Sequence, residues 1–162
     1  MVAYGLSPTI DTQFRKAKNP VTLFAMFRLF DRFHPLGLLV MRLALGAIMI
    51  AHGYPKVLKG GMPQVLQSVQ SLGMPGWFGY LSAWTEFLGG ILLIAGLITR
   101  LASLAVCINM TVAILKVHLK NGFTGQGNYQ FPLALAAIAF ALIWFGAGPI
   151  SLDRLLGGRR RK

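Results

Sequence analysis

Five side chains near the ends of apolar segments have the types that hold a charge or move a proton: His52, Lys56, Glu86, Lys116 and His118. A single carboxylate facing two lysines and two histidines should be ionised, and a histidine beside it can carry a proton or donate a hydrogen bond to a bound carbonyl. That chemistry suits a quinone head group, an anion or a proton path. A purely structural role is equally open, in which Glu86 pairs with Lys56 or His52 to hold two helices in register and Lys116 reaches toward the membrane surface. Metal chemistry is not expected, because His34 lies at the other side and the remaining histidines have no His or Cys at ligand spacing. A haem would have only His52 as an axial ligand. Cys107 is the single cysteine, so the chain forms no intrachain disulfide and carries no dithiol relay. It also has no dinucleotide fingerprint, phosphate-cradling glycine loop or serine elbow.

The elements that must bring these residues together are membrane spans. The 162 residues are 55% hydrophobic and 12% charged, against roughly 25% charged in an ordinary soluble domain, and the mean hydropathy is +0.61. Length alone points to one domain. Residues 36–52, 81–99, 101–117 and 131–150 approach the roughly 20 helical residues that cross a bilayer. They show almost none of the polar face that helices of soluble cores carry. The fold class is therefore an all-α membrane protein, a four-transmembrane-helix bundle, with the first and third spans recruiting flanking residues to reach full length.

Depth along the spans groups the five polar residues. At about 1.5 Å per residue, His52 lies about 24 Å into the first span and Glu86 about 8 Å from the opposite end of the second, which is the same level of a core about 30 Å thick. Lys56, Lys116 and His118 fall on that side too. Arg42 sits about 13 Å away in depth from Glu86, too far to pair easily, and is read as snorkelling to head groups. Asn109 and Thr111 can cross-link helices, and Gly89-Gly90 with Gly96 permits close packing.

The net charge is +12, which in so apolar a chain suggests anionic lipid rather than nucleic acid as the partner. Basic residues gather at the N-terminal segment (Arg15, Lys16, Lys18, Arg28, Arg32), at the tight turn holding Arg100, and in the tail (Arg154, Arg159, Arg160, Arg161, Lys162). The opposite side holds Lys56, Lys59, Lys116 and Lys120. Basic segments stay cytoplasmic, so both termini should face the cytoplasm of a bacterial inner membrane. The first 35 residues contain no uninterrupted apolar run, so the first span reads as an uncleaved anchor. Asn19-Pro20 reads as a helix start, and Leu23, Phe27, Phe30 and Phe33 then share a face, as in an amphipathic interfacial helix. Three regions result: 1–35 with that helix, 36–155 as the bundle, and 156–162 as a basic tail. Between the first two spans, VLQSVQSL suggests a short helix lying along the outer surface, and Trp77, Tyr80 and Trp84 read as interfacial aromatics.

Four motifs in order, RLALGAIMIAHGYPK, TEFLGGILLIAGLITRLASL, INMTVAI followed by VHLKNGF, and GAGPISLD, resemble the DoxX family of small four-span bacterial membrane proteins. The resemblance runs from about Met41 to Leu155. It implies a four-helix membrane bundle and, for function, a subunit of a thiosulfate:quinone oxidoreductase or a partner in a membrane-associated oxidoreductase complex. The family's recurrent polar residues map onto Arg42, His52, Lys56, Glu86, Arg100, His118 and Asp153. Where many members have an acidic residue entering the fourth span, this chain has Asn128-Tyr129-Gln130, which weakens any mechanism needing two carboxylates.

The favoured expectation is an accessory or scaffold subunit of a respiratory or photosynthetic redox complex, with no cofactor and no catalysis of its own. It would contact other membrane subunits, anionic lipids at the cytoplasmic face, and lipid or pigment at partner interfaces. The alternative is a quinone-interacting oxidoreductase subunit that uses His52, Lys56, Glu86, Lys116 and His118, with the ring stacked near Trp84 or Tyr80. In both, Arg42, Asn109, Arg100 and Asp153 are structural polar residues. A small transporter is a third possibility, disfavoured because paired discontinuous spans are lacking.

Overall fold

The computed structural model describes residues 32–157, and all the regular elements among them are helical. The interfacial helix expected before the first span and the basic run at 159–162 lie outside the described residues, apart from Arg32 and Phe33, which form a turn. Helix α1 (His34–Leu58) buries Leu38, Arg42, Leu45, Met49 and Gly53. Steps of three and four place such residues on one stripe of an α-helix. Helix α2 (Met62–Ser71) starts with Pro63 in its first turn, where the missing N–H is no loss. Helix α3 (Trp77–Ala95) buries Gly79, Ala83, Glu86, Gly90 and Leu93, again in steps of three and four. Helix α4 (Thr99–Ala113) continues as a π turn (Ile114–His118) and a 3-10 turn (Leu119–Asn121). Helix α5 (Gln130–Phe145) and the short α6 (Leu152–Gly157) complete the chain.

Three of these helices are long and apolar enough to cross a bilayer: α1, α3, and α4 with its extension to Asn121. Helix α5 has 16 residues and is about 24 Å long, shorter than expected for 131–150. It ends because Gly146 and Gly148 take positive φ and Pro149 follows, a sequence that cannot continue a helix. The first span is conversely longer than expected, because α1 runs past His52 and through Pro55.

The core joins α1, α3, α4 and α5 through Leu45, Met49, Leu93, Val106, Ala139 and Leu142, each at most 1% exposed. Small residues let the backbones approach, as packing in lipid requires. A Cβ on Gly90 would lie 2.7 Å from the Gly46 carbonyl oxygen, and one on Gly46 would lie 2.7 Å from that of Gly90. The expected close contact at Gly90 is therefore present, with Gly46 as its partner.

The turn from α3 to α4 is held from a distance. Ile98 is the one non-glycine described residue with positive φ, at 44°. Its N–H donates to Asp153 Oδ1 at 2.6 Å and that of Thr99 donates to Oδ2 at 2.9 Å. The Asp153 N–H in turn donates to the Gly96 carbonyl at 2.8 Å. Asp153 thus does for α4 what an N-cap side chain normally does, although it lies on α6. Asp153→Ala is expected to lower stability by about 1–3 kcal/mol, the range for losing charge-assisted bonds to orphan helix N–H groups. Thermal unfolding in detergent checks this, and an unchanged midpoint would show that water or another side chain takes over the cap.

Candidate functional site

Three helices meet at one carboxylate. Lys56, in the last turn of α1, donates from Nζ to Glu86 Oε2 at 2.5 Å. The Asn109 amide on α4 donates to Glu86 Oε1 at 3.5 Å. The Glu86 side chain is 7% exposed and that of Lys56 30%. The choice left open between Lys56 and His52 as the partner of Glu86 is thereby settled for Lys56. Thr111, expected to cross-link helices, instead donates from its hydroxyl to the Cys107 carbonyl of its own helix at 2.8 Å.

Beside this cluster lies a cavity of about 500 Å³ between α2, α3, α4 and the π turn. Its wall is mainly apolar, with Val65 and Val69 from α2, Leu72 at its C-cap, Phe78 and Leu81 from α3, and Ile108 and Val112 from α4. Lys56, Asn109 and Lys116 bring the strongest polar groups to it. The aromatic on this wall is Phe78, whereas Tyr80 and Trp84, expected to stack on a ring, are exposed on other faces of α3. Ser82 and Thr85 also line the cavity and escaped the sequence reading. Their signal was a spacing of three that puts Ser82 and Thr85 on neighbouring turns of one face of α3, with Ser82 one turn before Glu86. The spacing Val65, Val69, Leu72 within VLQSVQSL was the corresponding signal on α2. That helix does not merely lie along a surface: Leu66 packs so close to α3 that a Cβ on Gly79 would meet it at 2.9 Å.

The two histidines do not join the cluster. His52 is exposed on α1, its ring 6.1 Å from that of Phe131 on α5. His118 places Nδ1 2.7 Å from the Gly127 carbonyl, which also accepts from the Asn121 amide at 2.8 Å. Equal depth therefore brought together Lys56 and Glu86, with Lys116 on the same cavity, and left His52 and His118 outside it. Among the described residues no three of His, Cys, Asp and Glu form a group able to hold a metal ion.

Arg42 overturns the snorkelling expectation. The residue is 1% exposed. Its Nε donates to the Leu93 carbonyl at 3.0 Å and Nη2 to that of Ile94 at 3.1 Å. Nη1 donates to the Ala147 and Ile150 carbonyls at 2.6 and 2.7 Å. The first two carbonyls belong to the last turn of α3, where donors run short: that of Leu93 also accepts from the Gly96 N–H at 3.2 Å. Head groups are not needed when a buried guanidinium finds acceptors at every arm. Arg100 is exposed and donates to the Trp144 carbonyl at 3.2 Å, tying α4 to the end of α5.

The DoxX family model matches residues 37–119, a stretch that holds Arg42, Lys56, Glu86, Asn109 and Lys116 and stops before α5. A protein of Bacillus subtilis (strain 168) named "Putative oxidoreductase CatD" is 34% identical over 118 residues, which is 73% of this chain and 85% of that protein. The "Uncharacterized membrane protein Rv3486" of Mycobacterium tuberculosis is 28% identical over 150 residues, 82% of this chain and 88% of that one. An uncharacterized protein of Haemophilus influenzae is 29% identical over 131 residues, 76% of this chain and 92% of its own. No solved structure matches the chain.

Proposed function

The chain belongs to the DoxX family of membrane proteins, and from that premise we propose that it is a small subunit of a membrane redox complex that holds a quinone while a partner chain supplies the electrons. The observation that carries this reading is the apolar cavity of about 500 Å³ with Lys56, Asn109 and Lys116 on its wall. Its size falls in the range of sites for small organic ligands, and an apolar wall with a few polar groups is how such sites orient a ring. Asn109 and Lys116 offer N–H donors to ring oxygens, and Phe78 offers a flat apolar surface. The relative named as an oxidoreductase supports the same direction. The chain spans a bacterial cytoplasmic membrane four times with both termini inside, following the distribution of basic residues. Helix α5 crosses by local thinning of the bilayer or by recruiting its flanking residues.

Purification of the tagged chain from its native membrane in mild detergent tests the proposal. Extraction should yield close to one quinone per chain. Ala105→Phe, which fills the cavity from α4 without touching the Lys56–Glu86 pair, should reduce that yield about tenfold while redox subunits still co-purify. A purely accessory role is favoured by one observation: Glu86 is already satisfied by Lys56 and Asn109, as a structural pin would be. On that second reading the redox subunits co-purify without quinone. Glu86→Gln then lowers stability by about 1 kcal/mol, a modest figure because Lys56 keeps some solvent. Isolation with neither quinone nor redox subunits would reject both readings.

A further inference from the structure

One charge on the cavity wall is not accounted for by a neutral ligand. Two carboxylates lie among the described residues. Glu86 is held by Lys56 and Asn109, and Asp153 is held by the Ile98 and Thr99 N–H groups. Lys116 lines the cavity and forms no ion pair among the described residues, so Lys56, Lys116 and Glu86 together leave one positive charge over at this site. The other polar side chains on the wall, Gln64, Ser68, Ser82, Thr85 and Asn109, are neutral. Lys116 also occupies the middle of the π turn Ile114–His118, a departure from the α-helix that recurs at functional sites.

Lys116 is exposed beside the apolar wall, and an ammonium with low-dielectric protein on one side attracts an anion somewhat more strongly than it would in bulk water. A neutral head group does nothing for that charge. Resting on the reading of the cavity as a quinone site, we propose that the site selects quinones in an anionic form, those with an ionised ring oxygen, and that Lys116 is the residue that holds the oxyanion. Lys56 is not equivalent, because Glu86 already neutralises it. The ligand is therefore a single-ring or fused-ring amphiphile with one negative charge at its head and an apolar chain along α2 and α3. A two-chain phospholipid would overfill a cavity of about 500 Å³.

The test uses the full chain in an uncharged detergent and two probes of matching shape. One is a 3-alkyl-2-hydroxy-1,4-naphthoquinone, a vinylogous acid that is ionised at neutral pH. The other is its neutral 2-methyl ether, and dodecanoate serves as an anionic chain without a ring. Equilibrium dialysis should show the hydroxyquinone binding about tenfold more tightly than the ether, the scale of one charge-assisted hydrogen bond. Lys116→Gln should abolish this preference, bringing the hydroxyquinone to the affinity of the ether, and an unfolding midpoint in detergent equal to that of the wild type shows that the variant is folded. Lys116→Arg should restore the preference. Equal binding of the two quinones, or a preference that survives Lys116→Gln, overturns the inference and leaves the quinone site standing. Dodecanoate binding as tightly as the hydroxyquinone overturns it in favour of a fatty-acid site. If neither quinone binds, the quinone reading itself fails and the inference falls with it.

Discussion

Arg42→Leu should lower folding stability by about 3–5 kcal/mol, because four carbonyls lose a charged donor at once and, among the described residues, only that of Leu93 keeps another, the Gly96 N–H. Leu93, Ile94, Ala147 and Ile150 receive the guanidinium bonds at 2.6–3.1 Å. The bonds to Leu93 and Ala147 are buried, where water does not readily replace a lost donor and an unpaired carbonyl is penalised. Individual penalties do not add, since α3 and the loop after α5 can relax toward other donors. Arg42→Lys should recover only part of the loss: an ammonium has three donors at one point and cannot reach four carbonyls spread around a fork. Unfolding in detergent should rank wild type above Arg42→Lys and that above Arg42→Leu. A leucine variant as stable as the wild type would show that the carbonyls find other partners and that the guanidinium is dispensable.

Gly90→Val should be nearly as damaging and should reach the candidate site as well. The added Cβ would meet the Gly46 carbonyl oxygen at 2.7 Å, Ile50 Cγ1 at 2.8 Å and the Ile50 nitrogen at 2.9 Å. Two of the three are backbone atoms of α1, which no side-chain rotation can move aside. Helices α1 and α3 must part, at about 3 kcal/mol, the upper part of the range for overpacking. Glu86 is one turn from Gly90, so the parting stretches the Lys56–Glu86 pair that bridges the same two helices. Quinone retention should therefore fall together with stability. Gly89→Ala provides the contrast: its Cβ meets only Val106 Cγ2, at 3.3 Å, and should cost about 1 kcal/mol or less. Equal tolerance of both changes would mean that the α1–α3 approach is looser than the Gly46–Gly90 contact implies.

The helices and the level of the charged residues were legible from residue order alone. Apolar runs report the membrane, steps of three and four report the buried stripe, and a constant rise per residue converts position into depth. That is why Lys56 and Glu86, 30 positions apart, were placed on one side of the membrane and do meet. Depth is one coordinate of three. It carries no information on which helices are neighbours or how each is turned about its axis, so His52 and His118 shared the level of Glu86 and yet lie against Phe131 and Gly127. The cavity was hidden for the same reason. It exists because α2 folds onto α3, a contact that joins a connecting segment to a span.

Arg42 marks the boundary between the two kinds of knowledge. Residue order supplied its charge and its depth, and from these the nearest visible partners were lipid head groups and a distant carboxylate. Its actual partners are backbone carbonyls, which every residue possesses and no residue type announces. Only the ending of α3 at Gly96 and the non-helical path from Gly146 to Ile150 leave those oxygens with acceptor capacity to spare. Only the packing of α1 between them places a guanidinium within reach. Composition and periodicity therefore determined that this is a helical membrane protein with charged residues grouped toward one side, and four sequence motifs carried its resemblance to the DoxX family. Tertiary structure decided which of those charges meet, where the cavity opens and what holds the helix ends together, because each depends on contacts between segments far apart in the chain.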